Sequence, residues 1–398
     1  MASDDHFLNF TDELLTLIQD ASVTTTYKYA LLLAIIDLVE SAAAGDAGTE
    51  VLTTSLTTLQ IAARVIEIYW RQTLDEHRLF QPSKPMPGDD SRQIHVPRQS
   101  SMAGTTIDQQ VLRFRITMED HNLGRFEQQK ATPEYVDLLL DVEHTMVRQP
   151  IPRLQAAGNP QAPLLYVWPY LPEQMPQFGA YQKNVRNQLL NRSGAHNPTT
   201  FNNILRFGER VPLYLLRLAP LLRPFVQQKW AEFVAKRSNV DSRHDDLIQY
   251  LFGSQRESLD VYRKPLVQFQ QGRCFYCGQE LQGQTAVDHF IPWSRTPNNA
   301  VENLVVAHTG CNSAKSDHFA ATGHLRTWHL RPVQPGWFDL VKSVETTRTA
   351  VSDAARSFGI ARSQYLLMRE NKRLWVAGNE FEQANPSTIQ EIFSGLSL

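Results

Sequence analysis

Apolar positions recur at near-helical spacing through residues 7–79. Phe7, Phe10, Leu14, Leu15, Leu17 and Ile18 form one set, and Tyr29, Leu32, Leu33, Ile36 and Val39 form a second. Thr24, Thr25 and Thr26 offer N-caps for the second helix, since a side-chain oxygen there accepts from an orphan backbone N–H. Gly45 and Gly48 break it, and Leu59 to Trp70 resumes the period with Ile61, Val65, Ile68 and Tyr69. Further on the pattern is mixed. Leu112 to Ile116 alternates like a strand, Tyr135 to Met146 is helical, and Leu164 to Trp168 is a short apolar run bounded by prolines. Helical spacing returns from Pro198 to Gln270, in Leu213 to Leu222, Phe225 to Val234, Leu247 to Leu251 and Leu259 to Phe269. Trp337 to Val344 and Ala350 to Trp375 predict a helical C-terminal segment.

The pattern divides the chain into five stretches. Residues 1–80 form a helical domain, for which a winged helix is one expected type. Residues 81–106, with Pro82, Pro85, Pro87, Gly88, Pro97 and Gly104, have linker or surface-loop composition. Residues 107–270 are mixed and then helical, 271–330 form a small cysteine-bearing module, and 331–398 are helical. The expected fold class is mainly α and multidomain, with a minor β part (α+β). The chain shows neither an internal repeat nor a phosphate-cradling glycine loop.

Composition adds limits. With 398 residues, 42% of them hydrophobic, the chain can bury more than one core. The apolar run Tyr29 to Ile36 is too short to span a bilayer, and Asp4 and Asp5 have the wrong sign for a signal peptide. The expectation is a cytoplasmic protein without a membrane segment. Net charge is −2, yet it is unevenly spread: residues 1–80 hold four Lys/Arg against twelve Asp/Glu. Arg206 to Arg273 hold twelve basic and seven acidic side chains. A polyanion such as DNA would meet the later part, and the acidic N-terminal domain would suit a partner protein.

All three cysteines lie between Cys274 and Cys311. An odd number so tightly grouped argues for a local need for sulfur rather than a disulfide framework. Cys274 and Cys277 form a C-x2-C pair followed by Gly278, and His308 and Cys311 form an H-x2-C pair. Two such pairs suit a tetrahedral structural Zn²⁺, with His318 and His324 as alternatives to His308. Between the pairs stand Asp288 and His289, then Ile291-Pro292 and Asn303-Leu304. Asn312 follows the last cysteine, with Lys315 one helical turn later.

As a set, C-x2-C, DH-x2-P, NL and CN-x2-K resemble the HNH endonuclease family, whose fold is ββα-metal. The resemblance covers roughly residues 271–330. Asn312 stands where the family name has its second His, as in HNH domains of CRISPR effector nucleases, and His308 replaces a frequent Cys. The resemblance implies that His289 is the general base, that Asp288 and Asn312 hold one Mg²⁺ or Mn²⁺, and that Asn303 braces the loop orienting the imidazole. Lys315 and Arg295 would contact phosphate. Trp293 would pack or stack on a base. Thr26 to Glu40, Val65 to Gln72, CFYC and VDHFIPWSR are similar to bacterial HNH proteins of restriction and phage defence. The implied activity is metal-dependent hydrolysis of DNA phosphodiester bonds, by nicking or double-strand cutting; one HNH site cuts one strand, so a double-strand break would need a homodimer or two events. The alternatives are a non-catalytic zinc-containing module that binds nucleic acid or aids assembly, and an RNA nuclease.

Overall fold

The computed structural model describes residues 2–19, 25–44, 52–73, 106–121, 126–154, 163–171, 173–191, 199–238, 244–252, 259–345 and 352–394. They fall into two compact units. One comprises Met1–Leu38, Thr54–Tyr214 and Leu221–Ser254, and the other Val39–Thr53, Leu215–Pro220 and Gln255–Leu398. Both are mainly helical with small sheets. No described helix is long and apolar enough to cross a membrane.

Up to Phe252 the elements are α1 (Ala2–Gln19), α2 (Tyr27–Ala42), β1 (Ser55–Thr57), α3 (Thr58–Gln72), α4 (Ile107–Asp120), α5 (Phe126–Gln129), α6 (Pro133–Arg148), α7 (Pro150–Leu154), β2 (Tyr166–Val167), α8 (Phe178–Leu189), β3 (Ile204–Phe207), α9 (Val211–Ser238) and α10 (His244–Phe252). Helix α3 starts where it does because Thr57 and Gln60 exchange side-chain and backbone hydrogen bonds in a capping box. Its buried face, Ile61, Ala62, Val65, Ile66 and Tyr69, packs on α4 and α6.

Three expectations for this part change. Leu112 to Ile116 lies inside α4 rather than a strand: Ile107, Val111, Phe114 and Met118, three or four apart, are the buried positions, so the helical period overrides the short alternation. Within the supposed helical run from Pro198, Ile204–Phe207 is a strand at the centre of an antiparallel sheet ordered β1-β3-β2. Leu56 pairs there with the distant Leu205, a relation that local periodicity does not carry. For the same reason residues 1–80 do not close on themselves, since β1 pairs with β3 and α3 packs on later helices. The patches Leu213 to Leu222 and Phe225 to Val234 are one helix, α9, running through Pro220 and Pro224. Thr24, Gly45, Gly48 and, apart from Thr106, the linker 81–106 lie outside the described residues.

From residue 259 on, the elements are α11 (Asp260–Phe269), β4 (Thr285–His289), β5 (Leu304–His308), α12 (Thr309–Lys315), α13 (Thr322–His329), α14 (Trp337–Glu345), α15 (Ala354–Leu366), β6 (Arg373–Ala377), β7 (Glu380–Gln383) and α16 (Pro386–Ser394). Strands β4 and β5 are antiparallel, with Thr285 opposite His308 and His289 opposite Leu304. Helix α12 follows β5 at once and packs on both strands, giving a ββα arrangement.

The core beneath it does not respect the expected boundary at residue 330. Phe290 stacks on Trp328 with ring centroids 4.8 Å apart. The same buried cluster takes in Ile360, Tyr365, Trp375, Ile389 and Phe393 from the C-terminal segment. A short ββα knuckle has too little apolar surface to stand alone, and these side chains cover it. Trp375 also departs from expectation. It lies in β6 of a hairpin, not in a helix, and its backbone exchanges hydrogen bonds with Phe319 and Ala321 at 2.8 and 2.7 Å.

Helix α15 meets the end of α2 with no space between them. A Cβ on Gly359 would strike the backbone carbonyl of Glu40. Beside it Arg356 Nε pairs with the buried Glu40 carboxylate at 3.1 Å. Gly359→Ala is expected to cost about 1–3 kcal/mol or more through forced overpacking, read as a fall in the thermal midpoint of the full chain. An unchanged midpoint would show that the two backbones are not in contact.

Candidate active site

The C-x2-C loop precedes β4, with Gly278 at φ +69° turning the chain directly after Cys277. His308 closes β5 and Cys311 lies in α12. These elements bring one ligand atom each from Cys274, Cys277, His308 and Cys311 to within 4.8 Å of one another. His308 Nδ1 faces Cys277 Sγ at 3.3 Å, while its Nε2 lies 2.9 Å from the carbonyl of Glu280. A carbonyl only accepts, so Nε2 carries the hydrogen and Nδ1 offers its lone pair inward, the usual second anchor of a metal-bound histidine. His318 and His324 are elsewhere: His318 lies edge-on to Phe381, and His324 bonds the Val376 carbonyl.

The thiols show what such a cluster needs. Burial opposes ionisation of Cys274, but backbone N–H groups of Cys277, His308 and Tyr276 outweigh it and lower its pKa. Burial, followed by the charge of Cys274, then pushes Cys311 up to about 12. Crowded thiolates repel one another, and a dication removes the conflict. Three sulfurs and one imidazole nitrogen fit Zn²⁺.

Asp288 and His289 end β4 and alternate in direction, as strand neighbours do. Asp288 is buried at 8% exposure and His289 is half-buried. The Tyr276 hydroxyl, carried between the two cysteines, donates to Asp288 Oδ2 at 2.5 Å. Lys315 Nζ lies 3.0 Å from the same oxygen and donates to the His289 carbonyl at 2.9 Å. Lys315, expected to contact phosphate, has 0% exposure and pairs with Asp288 inside the knuckle. Arg295 is half-buried, with its guanidinium 5.7 Å from the Phe319 ring centre.

His289 Nε2 lies 2.8 Å from Asn299 Oδ1, and the Trp293 ring packs against the imidazole at 5.1 Å. Burial holds His289 below the ordinary histidine range. The Asn299 hydrogen bond and the charge of Asp288 pull it back, and Lys315 depresses it further. Asn303 is buried and braces the loop: its Oδ1 accepts from Ile291 N at 2.8 Å, and its Nδ2 donates to the carbonyls of Ile291 and Asn298. Asn312 is half-buried on α12, and no side-chain hydrogen bond joins it to any described residue.

Asp288 keeps its second carboxylate oxygen outside the Tyr276 and Lys315 contacts; a carboxylate and an amide oxygen are donor types that suit a hard cation. Tyr276 and Asn299 had no assigned role in the sequence. The position of Tyr276 inside C-x2-C was a usable signal; that of Asn299, in a loop rich in Asn and Pro, was not.

Residues 274–321 match the family model described as HNH endonuclease. This small part of the chain is an HNH endonuclease domain with a three-cysteine, one-histidine cluster, which points to an enzyme of nuclease type. No curated protein and no solved structure matches the chain.

Removing one member of a buried ion pair leaves the other charge uncompensated. Lys315→Met is therefore expected to destabilise the nuclease unit by roughly 3–5 kcal/mol, seen as a lower midpoint in thermal unfolding. A lysine acting at the surface on phosphate would leave that midpoint unchanged and weaken only DNA binding.

Proposed function

We propose that the chain is a metal-dependent endonuclease that hydrolyses phosphodiester bonds in DNA, one strand at each encounter. The observation that carries the reading is the His289 imidazole, placed at the end of β4 next to Asp288 and oriented by Asn299, within the HNH-matched stretch. Its Nε2 hydrogen is engaged by Asn299, which leaves Nδ1 to take a proton from an attacking water. Asp288 and Asn312 would hold Mg²⁺ or Mn²⁺, which supplies positive charge to the phosphate and the leaving 3′-oxygen. Tyr276 and Lys315 keep the Asp288 carboxylate in one orientation, and Asn303 keeps the loop after His289 in place. A structural Zn²⁺ on Cys274, Cys277, His308 and Cys311 would pin the knuckle. Service in prokaryotic defence or restriction is proposed on the sequence resemblance of Thr26 to Glu40, Val65 to Gln72, CFYC and VDHFIPWSR.

A plasmid nicking assay with Mg²⁺, Mn²⁺ or EDTA tests this reading. Nicking is expected with either metal, absent with EDTA, and reduced about 100-fold or more in His289→Ala, with DNA binding retained. Because the base must be neutral and burial lowers its pKa, the rate should hold its plateau through the ordinary histidine range and fall only in more acid solution. Metal-independent cleavage, or His289→Ala nicking at the native rate, would contradict the proposal. Faster cleavage of matched RNA would move the substrate to RNA.

A further inference from the structure

We infer that Asn299 is a positioning residue whose side-chain oxygen locks the His289 imidazole in the Nε2–H tautomer and so presents Nδ1 to the reacting water. The inference rests on the nuclease reading above. The two atoms are 2.8 Å apart. An amide oxygen can only accept, so the nitrogen facing it carries the hydrogen. A neutral imidazole has a single N–H, and the lone pair then belongs to Nδ1. The opposite tautomer would set two acceptors against each other at the same distance.

Asn299 is itself held by its neighbours. Asn298 is buried, accepts at Oδ1 from Ala300 N at 3.0 Å and donates through Nδ2 to Ser357 Oγ at 3.0 Å. Its carbonyl accepts from Asn303 Nδ2 at 3.1 Å. The backbone on either side of Asn299 is thus tied to the loop brace and, through Ser357, to helix α15. That helix lies outside the residues matched to the HNH family. Trp293 restrains the ring by packing against it. The device that orients the imidazole therefore extends from the knuckle into the C-terminal segment, which accounts for a chemical use of a helix that otherwise only completes the core.

The test uses the full chain with Asn299→Ala and Asn299→Asp, compared in metal-supported plasmid nicking and in histidine ¹⁵N spectra. Asn299→Ala is expected to lower kcat about 10–100-fold, with KM for DNA and the thermal midpoint unchanged. Asn299→Asp should restore most of the rate, because its carboxylate oxygen accepts the same hydrogen. The native His289 signal, assigned by its loss in His289→Ala, should show the Nε2–H form, and Asn299→Ala should show a mixture of tautomers. A native rate in Asn299→Ala, no recovery in Asn299→Asp, or an Nδ1–H form in the native protein would each overturn the inference. Nicking that depends on His289 but ignores Asn299 would remove this inference and leave the nuclease reading standing. Nicking that ignores His289 would remove both.

Discussion

Four ligand atoms within 4.8 Å of one another set the geometry of the nuclease unit. Three of them are sulfurs, and burial followed by the charge of Cys274 raises the pKa of Cys311, so thiolates are unfavourable there without a cation. A bound Zn²⁺ reverses the sign, contributing on the order of 10 kcal/mol in small zinc modules. The ion would join the C-x2-C loop, the end of β5 and the first turn of α12. Each of these carries or adjoins a group of the candidate active site. The loop brings Tyr276 to Asp288, β5 pairs with the strand that ends in His289, and α12 bears Asn312 and Lys315.

Beside the cluster, several polar side chains are buried and hydrogen-bonded. Asp288 has a hydroxyl and an ammonium on one oxygen, and Asn303 uses both ends of its amide on backbone groups. Lys315 has no surface exposure and still finds a carboxylate and a carbonyl. Such contacts cost desolvation, and their return is orientation more than stability. Were the site to act on a phosphodiester as proposed, its groups would benefit from that rigidity. The C-terminal segment supplies the apolar half of the same arrangement through Trp375, Ile389 and Phe393.

The cysteine cluster was legible in the chain because its chemistry demands fixed residue types at short spacing. C-x2-C and H-x2-C are local, so their positions alone group the four residues that the fold brings together. Burial is not local. Lys315 follows Asn312 by one helical turn, and nothing in a helix as short as α12 says which face meets Asp288. The strand at Ile204–Phe207 and the hairpin holding Trp375 escaped for a related reason: each is defined by a partner segment rather than by its own period. The limits of the units were also hidden, since a core shared between residue 290 and residue 393 leaves no mark in composition.

Zinc K-edge absorption on the purified full chain tests the central constraint most directly. The account predicts one zinc per chain with three sulfur neighbours near ~2.3 Å and one nitrogen near ~2.0–2.1 Å. Protein that folds without zinc, or a zinc shell of oxygen and nitrogen alone, would contradict it.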